Sequence, residues 1–182
     1  MRKCSFLLLF GLAACGTSGT GSASPAPQSR ELRQEDLDNY RMEAISPTIT
    51  AATEVTAPLE RVWAVLPQVF QELGIGEAGV IDPAGFVYGQ REMSVRRRLG
   101  SAPLSQFVEC GNNMGISNAN SYTVTLSVVT QLQRTTAEKT GVLSLVQATA
   151  RQPGNSQQSV VCTSTTELER RIANTVKLRL IQ

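Results

Sequence analysis

The sequence predicts an α+β fold: a two-layer sandwich in which an antiparallel sheet carries two amphipathic helices on one face. Three observations predict it. Tyr122, Val124, Leu126, Val128, Thr130 and Leu132 alternate with Thr123, Thr125 and Ser127, the period-two signature of a half-buried strand. Leu59, Val62, Leu66, Val69 and Leu73 recur at spacings of three and four, the apolar stripe of an amphipathic helix. Leu168, Ile172 and Val176 follow at four-residue spacing near the end of the chain, with Ala173 beside them. The order strand, helix, several antiparallel strands, helix packs as two layers, because each helix stripe needs a sheet face to bury against.

The elements follow in order. Tyr40, Met42 and Ala44 alternate with Arg41 and Glu43 until Pro47 breaks the stretch. Ile49, Ala51, Thr53 and Val55 then share one face of a strand. Ala57-Pro58 opens the first helix, since proline suits the first turn. Trp63 and Phe70 widen its stripe, and Gly74 stops it. Pro67 lies inside and cannot donate to the carbonyl of Trp63, which predicts a kink or two short helices. Val80 and Ile81 make a short strand, and residues 82–85 (Asp-Pro-Ala-Gly) make a turn by composition. Residues 86–97 form a longer strand, with Val87, Met93 and Val95 inward and Tyr88, Gln90, Glu92 and Arg96 in an outer row. Residues 104–110 fit a further strand.

Residues 111–121 read as a polar loop with four Asn and two Gly. After the clear strand from Tyr122, residues 134–140 connect to an antiparallel partner over 141–151. Residues 153–158 turn again, and 159–162 begin one more strand. Ser164-x-x-Glu167 is a capping box before the last helix, each side chain satisfying the other residue's orphan N–H. Arg170, Arg171, Lys177 and Arg179 fall mostly on its solvent face and late, where the helix dipole favours cations.

Ahead of this domain the composition changes. Met1-Arg2-Lys3 is a basic start, and Ser5 to Leu12 is an uncharged apolar core. This is the layout of a secretory signal peptide. The apolar run is about half the roughly 20 residues that a spanning helix needs. It ends in Leu12-Ala13-Ala14-Cys15, which resembles the lipobox of bacterial lipoproteins. The resemblance covers residues 1–16. It implies cleavage before Cys15 and lipidation of that residue: a diacylglycerol thioether and, usually, an N-acyl chain such as palmitate. Two or three chains give near-permanent attachment, at about 0.8 kcal/mol per buried methylene. In that family an Asp after the cysteine marks retention in the inner membrane. Gly16 therefore implies the outer membrane, facing the periplasm.

The predicted organisation is a signal peptide over 1–14, a lipidated cysteine and flexible tether over 15–39, and a single α+β domain over 40–182. Residues 16–29 contain only Gly, Thr, Ser, Ala, Pro and Gln. Such a coil reaches about 20 Å, from about 5–6 Å times the square root of residue number. Residues 30–39 are charged and mixed in sign, either a short exposed helix or more tether.

Arg2 and Lys3 would leave with the signal, taking Lys plus Arg from 17 to 15 against 15 Asp plus Glu. That balance argues against nucleic acid as a partner. Histidine is absent, which removes the commonest general base, the commonest metal ligand and the usual partner of a nucleophilic serine. No metal or cofactor motif is present, and neither Gly-x-Ser-x-Gly nor Ser-x-x-Lys occurs. Of four cysteines, Cys4 goes with the signal and Cys15 takes lipid. Cys110 and Cys162 remain, an even pair in an exported chain, which predicts one disulfide.

Four groups compete as contact sites. Trp63 and Phe70 are candidates for apolar ligand contact, although an aromatic residue in an apolar stripe is ordinarily core. Arg91, Arg96 and Arg98 are candidates for acidic groups or lipid phosphate; on one strand Arg96 and Arg98 would share a face and Arg97 would point away. The plainer alternative is a solvated strand end. Glu167 and Glu169 are two apart on a helix and make a poor carboxylate pair. The Asn-rich loop 111–120 is a recognition loop or a plain connection, since binding residues concentrate on loops.

The expected function is a membrane-anchored, non-enzymatic binding or scaffolding module with an envelope protein as partner. The alternative is a carrier of lipid or another apolar ligand, in a cavity lined by residues such as Trp63, Phe70, Tyr122 and Leu126. The element order is similar to that of helix-grip domains, found in lipoprotein subunits of the outer-membrane assembly machine and in lipid-carrying proteins. Fold likeness assigns no function.

Overall fold

The computed structural model describes residues 52–154 and 159–182. The segments expected to be signal and tether, Cys15, the alternation expected at 40–44, and Ile49 and Ala51 lie outside the described residues. Within them the chain forms the expected antiparallel sheet with helices on one face.

The main sheet runs β2 (Val80–Asp82), β3 (Val87–Arg96), β9 (Thr123–Thr136), β10 (Lys139–Arg151), β11 (Ser159–Ser164) and β6 (Val108–Glu109). β1 (Thr53–Val55) pairs with β10 over Thr140 to Val142, on the edge that β11 takes further along. β9 and β10 form the long central hairpin, in register from Thr140↔Arg134 to Arg151↔Thr123. Val124, Leu126, Val128 and Leu132 of β9 meet Ala150, Ala148, Val146 and Val142 of β10. These residues, with both long helices, make one core. Thr130 and Ser144 face each other inside it and satisfy one another at 2.8 Å, as buried hydroxyls require.

Helix α1 (Leu59–Glu72) buries Leu59, Val62, Leu66, Val69 and Phe70. It stays one element across Pro67 rather than dividing in two. Its end is built by Gly74 at φ +76°. The Gly74 N–H donates to Gln71 and the Ile75 N–H to Phe70, a Schellman closure that satisfies two orphan carbonyls. A side chain here would meet the Gly100 backbone at 2.6 Å.

Helix α3 (Glu167–Ile181) buries Leu168, Ile172, Ala173 and Val176. Its start differs from the expected capping box. Ser164 is still a strand residue opposite Val108, and Thr166, at φ +66°, makes the corner. Ser164 accepts from the Thr166 N–H and donates to Glu169 instead. Sheet pairing thus holds the serine out of the cap position.

The largest departure lies in β3. Plain alternation places Tyr88 outward and Val87 inward, and the structure reverses them. Tyr88 joins the helix-side core, while Val87 packs with Val80, Val129 and Leu145 on the other face. The cause is a bulge. Gln90 opposes Val128 and Met93 opposes Leu126, so Arg91 and Glu92 together face Ser127. Glu92 sits at φ +50° and its N–H donates to Ser127 Oγ at 3.0 Å. One extra residue switches the parity of a strand, so Tyr88 before the bulge and Met93 and Val95 after it share the helix side.

Candidate functional site

Cys110 and Cys162 form a disulfide with Cα atoms 4.3 Å apart. The pairs Thr163↔Glu109 and Ser164↔Val108 set the two cysteines opposite each other, one step along the β6–β11 ladder. The ladder therefore brings the sulfurs together. Both cysteines are buried in the main core.

The segment after Cys110 is more ordered than the expected polar loop. Strands β7 (Asn112–Asn113) and β8 (Ile116–Ser117) pair as a tight hairpin. They lead into the helical turn α2 (Asn118–Ser121). Met114 and Gly115 form the tip at φ +51° and +80°. Two positive φ values in a two-residue loop make a type I′ turn, which favours Asn-Gly. Methionine there costs roughly 1–2 kcal/mol of backbone strain. Its side chain gains nothing from the fold in return: Met114 is 96% exposed and Ile116 61% exposed. Both apolar side chains project from a stretch, 111–121, that has no charged residue.

The base of this finger is held firmly. The Asn118 N–H donates to the Gly111 carbonyl at 2.9 Å, and Asn118 Nδ2 donates to the Cys110 carbonyl at 3.0 Å. Asn120 brackets Ser105 of the 3₁₀ turn Leu104–Gln106, accepting its N–H at 3.0 Å and donating to its hydroxyl at 2.8 Å. That turn, with the short β6, replaces the single strand expected over 104–110.

The arginines do not lie along one strand. Arg91 is half-buried in the bulge, and Arg96 is exposed at the end of β3. Arg97, at φ +65°, breaks the strand, and its carbonyl accepts the Leu104 N–H. Arg98 therefore starts a separate ladder, β4 (Arg98–Leu99) with β5 (Ala102–Pro103), and bonds the Ser101 carbonyl. Arg96 and Arg98 do not share a strand face, because the chain is not one strand there.

Phe70 is fully buried, and Trp63 packs partly buried against the same core. Trp63 stacks edge-on against Phe86 and Tyr88, with centroids 5.8 and 6.0 Å away. Phe70 meets Tyr88 edge-on at 4.9 Å. Such T-shaped pairs add about 0.5–1.5 kcal/mol beyond burial. Burial pushes the Tyr88 hydroxyl up, a backbone hydrogen bond with Ala78 opposes it, and the Glu77 charge adds to the rise. Tyr122 packs partly buried against the same core, and Leu126 is fully buried in it. The aromatic chain joins α1 to β3.

Two carboxylates at the start of α3 have opposite settings. Burial raises the Glu169 carboxyl, while the Ser164 hydroxyl pulls it back. Hydrogen bonds from Arg170 and then Arg171 lower Glu167. Arg171 also lies over the Phe107 ring at 4.9 Å. Among the described residues no three His, Cys, Asp or Glu side chains come together to hold a metal.

The fold and its surface thus define an α+β sandwich with a disulfide-braced, apolar-tipped finger. Comparison with protein-family models, with characterised proteins and with solved structures gives no match in any of the three.

Proposed function

We propose that this protein is a bacterial envelope lipoprotein whose domain binds or scaffolds another protein and performs no catalysis. The observation that carries the reading is Leu12-Ala13-Ala14-Cys15 behind a short apolar run. Acyl chains on Cys15 fix the chain to the membrane, and the tether lets the domain search about 20 Å from it. Outer-membrane placement on the periplasmic side follows from Gly16. The Cys110–Cys162 disulfide supports export, since such bonds persist in oxidising compartments.

The test is co-purification from detergent-solubilised envelopes, using the intact lipoprotein and Cys15→Ala side by side. A specific envelope protein should accompany the wild type. A monomeric, inert domain that recovers none would refute the reading. The carrier alternative needs the Trp63–Tyr88–Phe70 rings to open for a ligand. A rise in Tm with added fatty acid or phospholipid, and no protein partner, would favour it instead.

A further inference from the structure

We infer that the hairpin finger at residues 111–118 is a docking element, and that it seats Met114 and Ile116 in an apolar socket of a partner protein. The socket would be rimmed by uncharged hydrogen-bonding groups.

Three properties of the finger carry this. The first is cost without internal return. Met114 holds a backbone conformation suited to asparagine or glycine while its side chain stays in water. A residue kept in a strained conformation with no contact inside the fold points to a contact outside it. The second is chemistry. Two apolar side chains stand among Asn112, Asn113, Gly115 and Ser117, with no charge from 111 to 121. Protein interface cores are depleted of charge in this way, and methionine is enriched there. The third is rigidity. The disulfide, Asn118 and Asn120 fix the base before any partner arrives, so little ordering remains to be done on binding.

Rigidity also separates a protein from a lipid surface. A fluid bilayer has no shape to match and gains little from a stiff, strained tip. A whole myristoyl chain gives only marginal membrane binding, with K about 10⁴ M⁻¹, and these two side chains offer less apolar surface. A protein socket that also bonds the asparagine rim can hold the finger.

The inference deepens the binding-module reading and rests on it. Its test places photoreactive benzoylphenylalanine at position 114 or 116 of the full-length protein in the cells that make it. Exposed Val161 and Ile181 serve as control positions. One discrete protein adduct is expected from 114 and 116 and none from 161 or 181. That protein, identified and purified, should bind Met114→Asn at least ten-fold more weakly than wild type. Met114→Asn installs the favoured Asn-Gly turn, so its Tm should equal or exceed that of wild type. Loss of binding would then not be loss of fold. Adducts only to lipid, only to a second copy of this chain, equally at the control positions, or none at all would overturn the inference. So would an unchanged affinity or a lowered Tm in Met114→Asn. Partner recovery that persists unaltered in Met114→Asn defeats the finger while leaving the binding module standing. Absence of any partner defeats both.

Discussion

Replacing both Cys110 and Cys162 with alanine should lower stability by about 4 kcal/mol. The figure comes from the chain entropy that a crosslink removes from the unfolded state, which depends on loop length. The cysteines are 52 positions apart, so the unfolded chain loses a long loop when the bond closes. Alanine is the better probe than serine. Cys110 is 1% and Cys162 7% exposed, and a hydroxyl without a partner there would add about 1–3 kcal/mol of desolvation. Domains of this size unfold with m of about 1–3 kcal/mol/M in urea, so the midpoint should fall by about 2 M. Native stabilities of about 5–15 kcal/mol leave the double variant folded. The assay is urea unfolding of both proteins by circular dichroism, paired with intact mass before and after reduction. A midpoint shift under about 0.5 M, at the m values above, would refute the reasoning. A wild-type mass that does not rise by two hydrogens on reduction would refute the bond itself.

Further predictions concern the sheet and the last helix. A methyl group on Gly89 would stand 2.6 Å from the Val128 carbonyl and 2.9 Å from Val129 Cα. Gly89→Ala should therefore cost about 1–3 kcal/mol, the range for overpacking, and a neutral result in thermal unfolding would contradict the close strand contact. Burial raises the Glu169 carboxyl above its ordinary 4.5, so the folded state holds that proton more readily than the unfolded one. The resulting stability is fully present below 4.5 and is lost as pH rises through the elevated value. Glu169→Gln should be more stable than wild type at pH 7, with the gap closing on acidification. A variant less stable than wild type at pH 7 would show that the charge is favourable where it sits.

The architecture was legible because its main elements repeat simply. Val124 to Leu132 alternate without interruption, and the stripes of α1 and α3 hold every three or four residues. The pairing of Cys110 with Cys162 was legible too, from an expected export and an even count. β3 defeats a period-two reading because alternation assumes one residue per step. The bulge at Arg91 and Glu92 leaves no apolar signature, so Tyr88 fell on the wrong side. Ser164-x-x-Glu167 has the spacing of a capping box, but that local preference lost to strand pairing with Val108. The finger was half legible. The four asparagines of 111–121 marked a surface segment, and Met114-Gly115 is not the turn pair that a hairpin advertises. Asn-Gly at that place would have announced the turn, and the exposed methionine hid it.

The most direct test of the account is the intact mass of the mature protein extracted from membranes. The mature chain should begin at Cys15, carry two or three acyl chains and take up labelled palmitate, with label lost in Cys15→Ala. A mature chain that starts elsewhere without lipid, or label that persists in Cys15→Ala, would contradict it.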